Sequence, residues 1–132
     1  MPGPEPVVAR KADLTIFLAG SQLLLQDAND ASGGAVEIRR GQSMAWQNRT
    51  GVACRLTFFR LQPADDDAGD REPYWPFDEA KPANCVKEIP ARNQWKPRLR
   101  EDLDPAINVK YDVAVPGLAY VPALDPVIIV KP

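Results

Sequence analysis

No histidine occurs among the 132 residues of this chain. That absence removes the commonest general base, the commonest metal ligand and the side chain that titrates near neutral pH. Methionine is scarce as well, with only Met1 and Met44, so thioether ligation is nearly excluded. The sulfur inventory is completed by Cys54 and Cys85, too few donors for a structural zinc site that wants four ligands. No apolar run approaches the roughly 18 residues needed to cross a bilayer. Sixteen basic residues against eighteen acidic ones give a net charge of −2, which offers no electrostatic footprint for nucleic acid and no polybasic membrane patch. A P-loop, a dinucleotide fingerprint and a nucleophile–base pair are all missing. With no legible acid–base constellation and no cofactor motif, the chain reads as a non-enzyme.

A signal peptide is not legible either. The opening MPGPEPVVARKADLTIFLAG places prolines where a charged n-region belongs, and its apolar stretch is short. Two readings stay open: a cytoplasmic protein, or a periplasmic or extracellular one whose signal was removed and replaced by a new Met1.

What is present is β-structure in short pieces. The apolar fraction is 45%, and fourteen prolines spread along the chain disfavour long helices. Residues 1–12 read as a flexible lead-in, and 13–132 as a single domain with one core. LTIFL and LLLQ flank a turn at Gly20 and Ser21. Val36 to Arg39 alternates apolar and charged residues, and Ser43 to Gln47 puts Met44 and Trp46 on one face. In VACRLTFFRL, the residues Val52, Cys54, Leu56 and Phe58 share the core side. Phe59 breaks that alternation and is expected at a sheet edge. Val86 to Ile89, Gln94 to Leu99, a long strand from about Ile107, and Val127 to Val130 complete the set. About eight strands with frequent turn signals predict an all-β sandwich. Between them, 62–85 reads as a long loop rich in Asp, Pro and aromatics, and a loop of that length is usually functional, mobile or inserted.

Two segments carry a family resemblance. Asn48, Gly51, Cys54 and Phe58 follow the spacing Asn-x-x-Gly-x-x-His with an apolar strand ending in Phe, preceded by Gly41 and Trp46. Tyr111, Val115 and Leu118, then Ala123 or Leu124, follow the spacing Tyr-x-x-x-Cys-x-x-His and then Met, before a closing strand. The pattern resembles the cupredoxins, the copper β-sandwiches. It implies a cupredoxin-like Greek-key sandwich, with an immunoglobulin-like sandwich as the structural alternative. The ligands themselves are replaced. Cys54 stands at the first histidine position, Val115 at the thiolate, Leu118 at the second histidine, and Ala123 or Leu124 at the methionine. A type 1 copper site needs two imidazoles and a thiolate with a weak axial ligand. The resemblance therefore implies a copper-free relative whose former metal end is an apolar plug.

Three readings of Cys54 and Cys85 follow. A disulfide would tie the long loop to the sheet and stabilise by about 3–4 kcal/mol on the chain-entropy model. Two buried free thiols are the second reading. A bis-thiolate Cu(I) or redox site is the third. Tyr74, Trp75 and Phe77 around Pro76, with Trp95, are candidates for a partner-binding surface, since aromatics dominate interface hot spots. The competing reading folds them back over the sandwich, filling the end where copper would sit. The acidic run Asp65, Asp66, Asp67, Asp70 and Glu72 lacks calcium-loop spacing and reads as a solvated tip. Lys96, Arg98, Arg100 and Lys110, offset by Glu101, Asp102 and Asp104, read as mixed surface. Asn48-Arg49-Thr50 is a glycosylation sequon by pattern only. The function that follows is a binding or assembly module that recognises a protein partner through the aromatic loop, or self-associates. The alternative is Cu(I) handling or redox chemistry at Cys54 and Cys85.

Overall fold

The structure, a computed structural model, describes residues 12–27, 34–61, 71–103 and 108–131. Apart from Ala12, the lead-in falls outside these residues, as does the acidic run from Asp65 to Asp70. Ten strands form the domain: β1 (Ala12–Ala19), β2 (Gln22–Gln26), β3 (Ala35–Arg39), β4 (Met44–Asn48), β5 (Cys54–Leu61), β6 (Arg71–Pro73), β7 (Val86–Ile89), β8 (Gln94–Trp95), β9 (Asn108–Ala114) and β10 (Val127–Lys131). One sheet has the order β2-β1-β4-β8. The other runs β3-β10-β9-β5-β6, and β7 shares the outer edge of β5 with β6.

Each sheet contains one parallel pair, β1 with β4 and β10 with β3. The antiparallel sheets of an immunoglobulin-like sandwich do not have this arrangement. Successive strands switch sheets repeatedly, and the inner faces close on one core. Leu14 and Ile16 of β1, Met44 and Trp46 of β4, Leu56 and Phe58 of β5, Val109, Tyr111 and Val113 of β9, and Ile128 of β10 are essentially inaccessible. The alternation that predicts inward residues therefore holds in both sheets. Fully burying one such aliphatic side chain is worth about 1.5–3 kcal/mol relative to exposure.

Three expectations need correcting. Phe59 is not at a sheet edge: β5 is flanked by β9 on one side and by β6 and β7 on the other, and Phe59 is 4% exposed between Lys110 and Pro73. The strand predicted over Gln94 to Leu99 stops after Trp95, because Pro97 has no amide to continue a ladder. Beyond it, only isolated bridges from Arg98 to Ser43 and from Leu99 to Phe77 remain. Within 62–85, the described residues are not all loop. Arg71–Pro73 adds β6 to the sheet, and a short 3-10 turn covers Ala83–Cys85.

Candidate functional site

The end of the sandwich where the metal ligands of a cupredoxin would stand is built from the start of β5 and the corner after β9. Arg55 pairs with Ala114, so the ladder brings Cys54 beside Val115. Leu118 N donates to Val115 O at 2.9 Å and Val121 N to Leu118 O at 3.0 Å, turning the chain sharply. Val113 and Leu124 then exchange backbone hydrogen bonds of 3.1 and 2.9 Å. Cys54, Val115 and Val121 are buried, and Leu118 and Leu124 are half-buried against the core. Burial pushes the Cys54 thiol above its ordinary range, and the Thr50 hydroxyl, 3.7 Å from Sγ, offsets part of that.

Asn48 holds this end together, and it is fully buried. Its Nδ2 donates toward Val52 O, Ile89 O and Pro90 O at 2.8, 2.9 and 3.2 Å. Its Oδ1 accepts from Thr50 N at 2.9 Å, and the Thr50 hydroxyl lies 2.8 Å away. Its backbone donates to Asn93 O at 2.9 Å and accepts from Arg92 N at 3.1 Å. One side chain thus binds the 49–52 turn to the turn after β7. Gly51, at φ +87°, takes the left-handed conformation that this tight turn requires. The sequon pattern here marks an interior amide.

Further down the sandwich, six aromatic rings interlock. Trp46 stacks on Trp95 with centroids 5.2 Å apart and planes 17° apart, and meets Phe58, Phe77 and Tyr111 edge-on. Phe58 stacks on Tyr111 at 5.2 Å, and Trp75 on Trp95 at 5.8 Å. Each indole N–H has an acceptor: Trp46 donates to Tyr111 Oη at 3.2 Å, Trp75 to Glu79 O at 3.1 Å, and Trp95 to Glu79 Oε2 at 3.3 Å. Buried deep in this cluster, the Tyr111 phenol is pushed well above its usual pKa by desolvation. Asp78 N to Arg98 O at 2.8 Å and Arg100 N to Pro76 O at 2.9 Å lace the loop onto the segment after β8.

The predicted aromatic candidates therefore come together, but mostly in the interior. Trp75 is 6% exposed, Phe77 1% and Trp95 9%. They fill the middle of β5 beside Phe58, not the end near Cys54 and Val115. Tyr74 is the exception, half-buried with the guanidiniums of Arg60 and Arg100 each 5.6 Å from its ring centroid. Arg100 Nη2 also donates to Tyr74 Oη at 3.2 Å, and Lys87 Nζ lies 5.3 Å over the Trp95 ring. A shallow depression beside Tyr74 is lined by Trp75, Glu79, Lys81, Cys85 and Arg100.

Cys54 and Cys85 are both buried and both free. Cys54 pairs with Ile89, whereas Cys85 precedes Val86, the partner of Thr57. Val86 lies three strand steps, about 10 Å, along the ladder from Cys54, and Cys85 turns away from that ladder in the Ala83–Cys85 turn, so the two thiols stay unbridged. The disulfide expectation is corrected on that ground, and a single site sharing both sulfurs is not formed. Burial raises the Cys85 thiol pKa, and Lys81 counters it partly.

The charged candidates disperse into pairs: Arg98 with Glu101 at 2.7 Å, Arg100 with Asp102 at 3.6 Å, and Lys110 with Asp125 at 3.1 Å. Among the described residues, no three His, Cys, Asp or Glu side chains converge, and no helix is long and apolar enough to cross a membrane. Two features escaped the sequence reading. The Asn-x-x-Gly spacing and Asn-x-Thr marked Asn48 as a turn residue but not as a buried hub. Glu79, which accepts from Trp95 and whose carbonyl accepts from Trp75, carried no signal.

Among solved structures, the chain is similar to a multicopper oxidase from Campylobacter jejuni described as a metallo-oxidase. The match has 15% identity and a TM-score of 0.51, covering 98% of this chain and 27% of that one. The McoA multicopper oxidase from Aquifex aeolicus matches at 12% identity and a TM-score of 0.47, over 93% of this chain and 27% of that one. A purple cupredoxin from Nitrosopumilus maritimus matches at 13% identity and a TM-score of 0.46, over 91% and 99%. The chain thus spans about a quarter of the length of the two oxidases. No family model matches it and no curated protein sequence is significantly similar. The likeness is one of architecture: this protein is a cupredoxin-like Greek-key β-sandwich.

Proposed function

We propose that this is a copper-free, non-enzymatic binding or assembly module on a cupredoxin-like scaffold. The observation that carries the reading is the company Cys54 keeps. Val115 stands beside it, and Leu118 and Leu124 pack on the same core; the three are aliphatic where thiolate, imidazole and thioether would be needed. One protonated thiol amid hydrocarbon does not fit a type 1 copper, which requires two imidazoles and a thiolate. What the fold then offers a protein partner is the rim of the aromatic cluster: Tyr74 with Arg60, Arg100 and Lys81 beside it, and Lys87 over Trp95. Aromatic and arginine side chains are the types enriched at interface hot spots. The test is metal analysis of protein purified from copper-supplemented cells. Well under one equivalent of copper is expected. One tightly held equivalent, lost in Cys54→Ser, would overturn the reading.

A further inference from the structure

Natural β-proteins blunt the open edges of their sheets with charge, proline or brevity. Among the described residues, three of the four sheet edges do so. β8 is two residues long; β3 carries Glu37 and Arg39; the edge shared by β6 and β7 carries Glu72, Pro73, Lys87 and Glu88. The fourth edge does not. β2 is Gln-Leu-Leu-Leu-Gln, five residues in unbroken register with β1, with no charge, no proline and no bulge. Among the described residues, nothing pairs with its outer side. Leu24, on the outward face opposite Phe17, is 40% exposed, one of two large apolar side chains so exposed among the described residues.

The hydrogen-bonding phase of the hairpin shows which groups face the open edge. The two-residue turn at Gly20 and Ser21 makes Ala19 and Gln22 a bonded pair, and bonded and non-bonded pairs alternate from there. Ile16 O confirms the phase, since it points away from β2 and accepts from Arg49 N at 2.9 Å. Gln22, Leu24 and Gln26 therefore spend their amides on β1. Leu23 and Leu25 turn theirs outward.

From this we infer that β2 is a self-association edge, pairing antiparallel with β2 of a second copy about a twofold axis at Leu24. The strand is a palindrome, so that axis sets Leu24 against Leu24, Leu23 against Leu25 and Gln22 against Gln26 of the other copy. The phase agrees: Leu23 and Leu25 are the residues whose outward amides would form the new ladder, and Leu24 falls on the close-spaced non-bonded pair. A twofold contact of this kind is closed and stops at the dimer. The product is one continuous eight-stranded sheet. This inference names a partner for an assembly role, but it rests on β2 and is independent of the metal end.

The test is sedimentation from about 1 µM to about 1 mM, a window suited to a short strand-edge contact. Wild-type protein is expected to shift with concentration toward twice its 14.6 kDa mass. Leu24→Lys, an outward-facing change that spares the core, sets like charges against each other and should weaken the dimer at least about tenfold. Leu24→Glu should do the same. Mixing the two variants should restore association, because only a register with position 24 opposite itself pairs Lys with Glu. A wild type that stays monomeric throughout overturns the inference. So does a Leu24→Lys protein that dimerises undiminished, or a mixture that fails to recover. Copper content has no bearing on any of these outcomes.

Discussion

Asn48 is the residue on which most of the local architecture converges. It lies in the interior with its amide nitrogen shared among three carbonyls and its oxygen taken by Thr50. Replacing it by alanine takes the side-chain donor from Ile89 O and Pro90 O and the acceptor from Thr50 N in a place water reaches poorly, while Val52 O keeps the Thr50 hydroxyl. Each unsatisfied buried group costs about 1–3 kcal/mol, and the local geometry will relax around some of them. Asn48→Ala should therefore lose about 2–4 kcal/mol of stability in urea unfolding. A loss under about 1 kcal/mol would mean the side chain is incidental to the turn. The sequence shows the Asn48, Thr50 and Gly51 turn clearly enough, because Asn and Gly have local reasons to be there. It does not show that Ile89 and Pro90, some forty residues on, supply the acceptors. Cys54 and Cys85 make the same point in reverse. Their spacing along the chain permits a bridge, and only the β5–β7 register places Cys85 beyond the far end of the ladder from Cys54.

At the scale of elements, the strands were legible where one face is buried, since a period of two leaves its mark in β5, β9 and β10. Legibility failed where something other than alternation decides. Arg71–Pro73 has too few residues to show a period, and it is a strand because it lies along the exposed flank of β5. The aromatic loop was legible as a dilemma between interior and surface, and packing resolved it. Phe77 meets Trp46, Phe58, Trp75 and Trp95. Tyr74 is half-buried, packed partly against the core and partly beside Arg60 and Arg100. Phe77→Ala should cost about 3–5 kcal/mol, the usual cavity cost of an aromatic in a core. Tyr74→Ala should cost less, about 1–2 kcal/mol, since only part of its ring packs on the core. The comparison is read from paired urea curves. Equal losses would mean that the loop packs as one piece and that Tyr74 is not a free rim. Because Trp75 sits with Phe77 in the interior, the surface role proposed for this face is better probed at Tyr74 and Arg100 than at Trp75.

For the whole molecule, the absence of histidine and the depth of its phenol and thiols give stability an unusual dependence on pH. No imidazole titrates between about pH 6 and pH 8, so stability should be flat there. The alkaline side differs. Cys54 and Cys85 have an ordinary value of 9.0 and Tyr111 one of 10.0, and burial raises all three in the folded chain. Above pH 9 the unfolded chain releases these protons while the native chain still holds them. The unfolded state then binds fewer protons than the native one, and stability falls as pH rises. The contribution is complete below about pH 9 and is lost as each native group is finally forced to ionise. Urea midpoints taken from pH 6 to 11 should be level and then drop. Cys54→Ala should flatten the first part of that limb, and Tyr111→Phe the part beginning near pH 10, although Tyr111→Phe also costs the Trp46 hydrogen bond at every pH. The slope distinguishes the two effects, because a lost hydrogen bond lowers the whole curve whereas a lost titration changes its shape. An alkaline limb of unchanged steepness in both variants would show that these groups do not ionise late in the folded chain. That result would also undermine the picture of Cys54 as a neutral thiol sealed among aliphatic side chains.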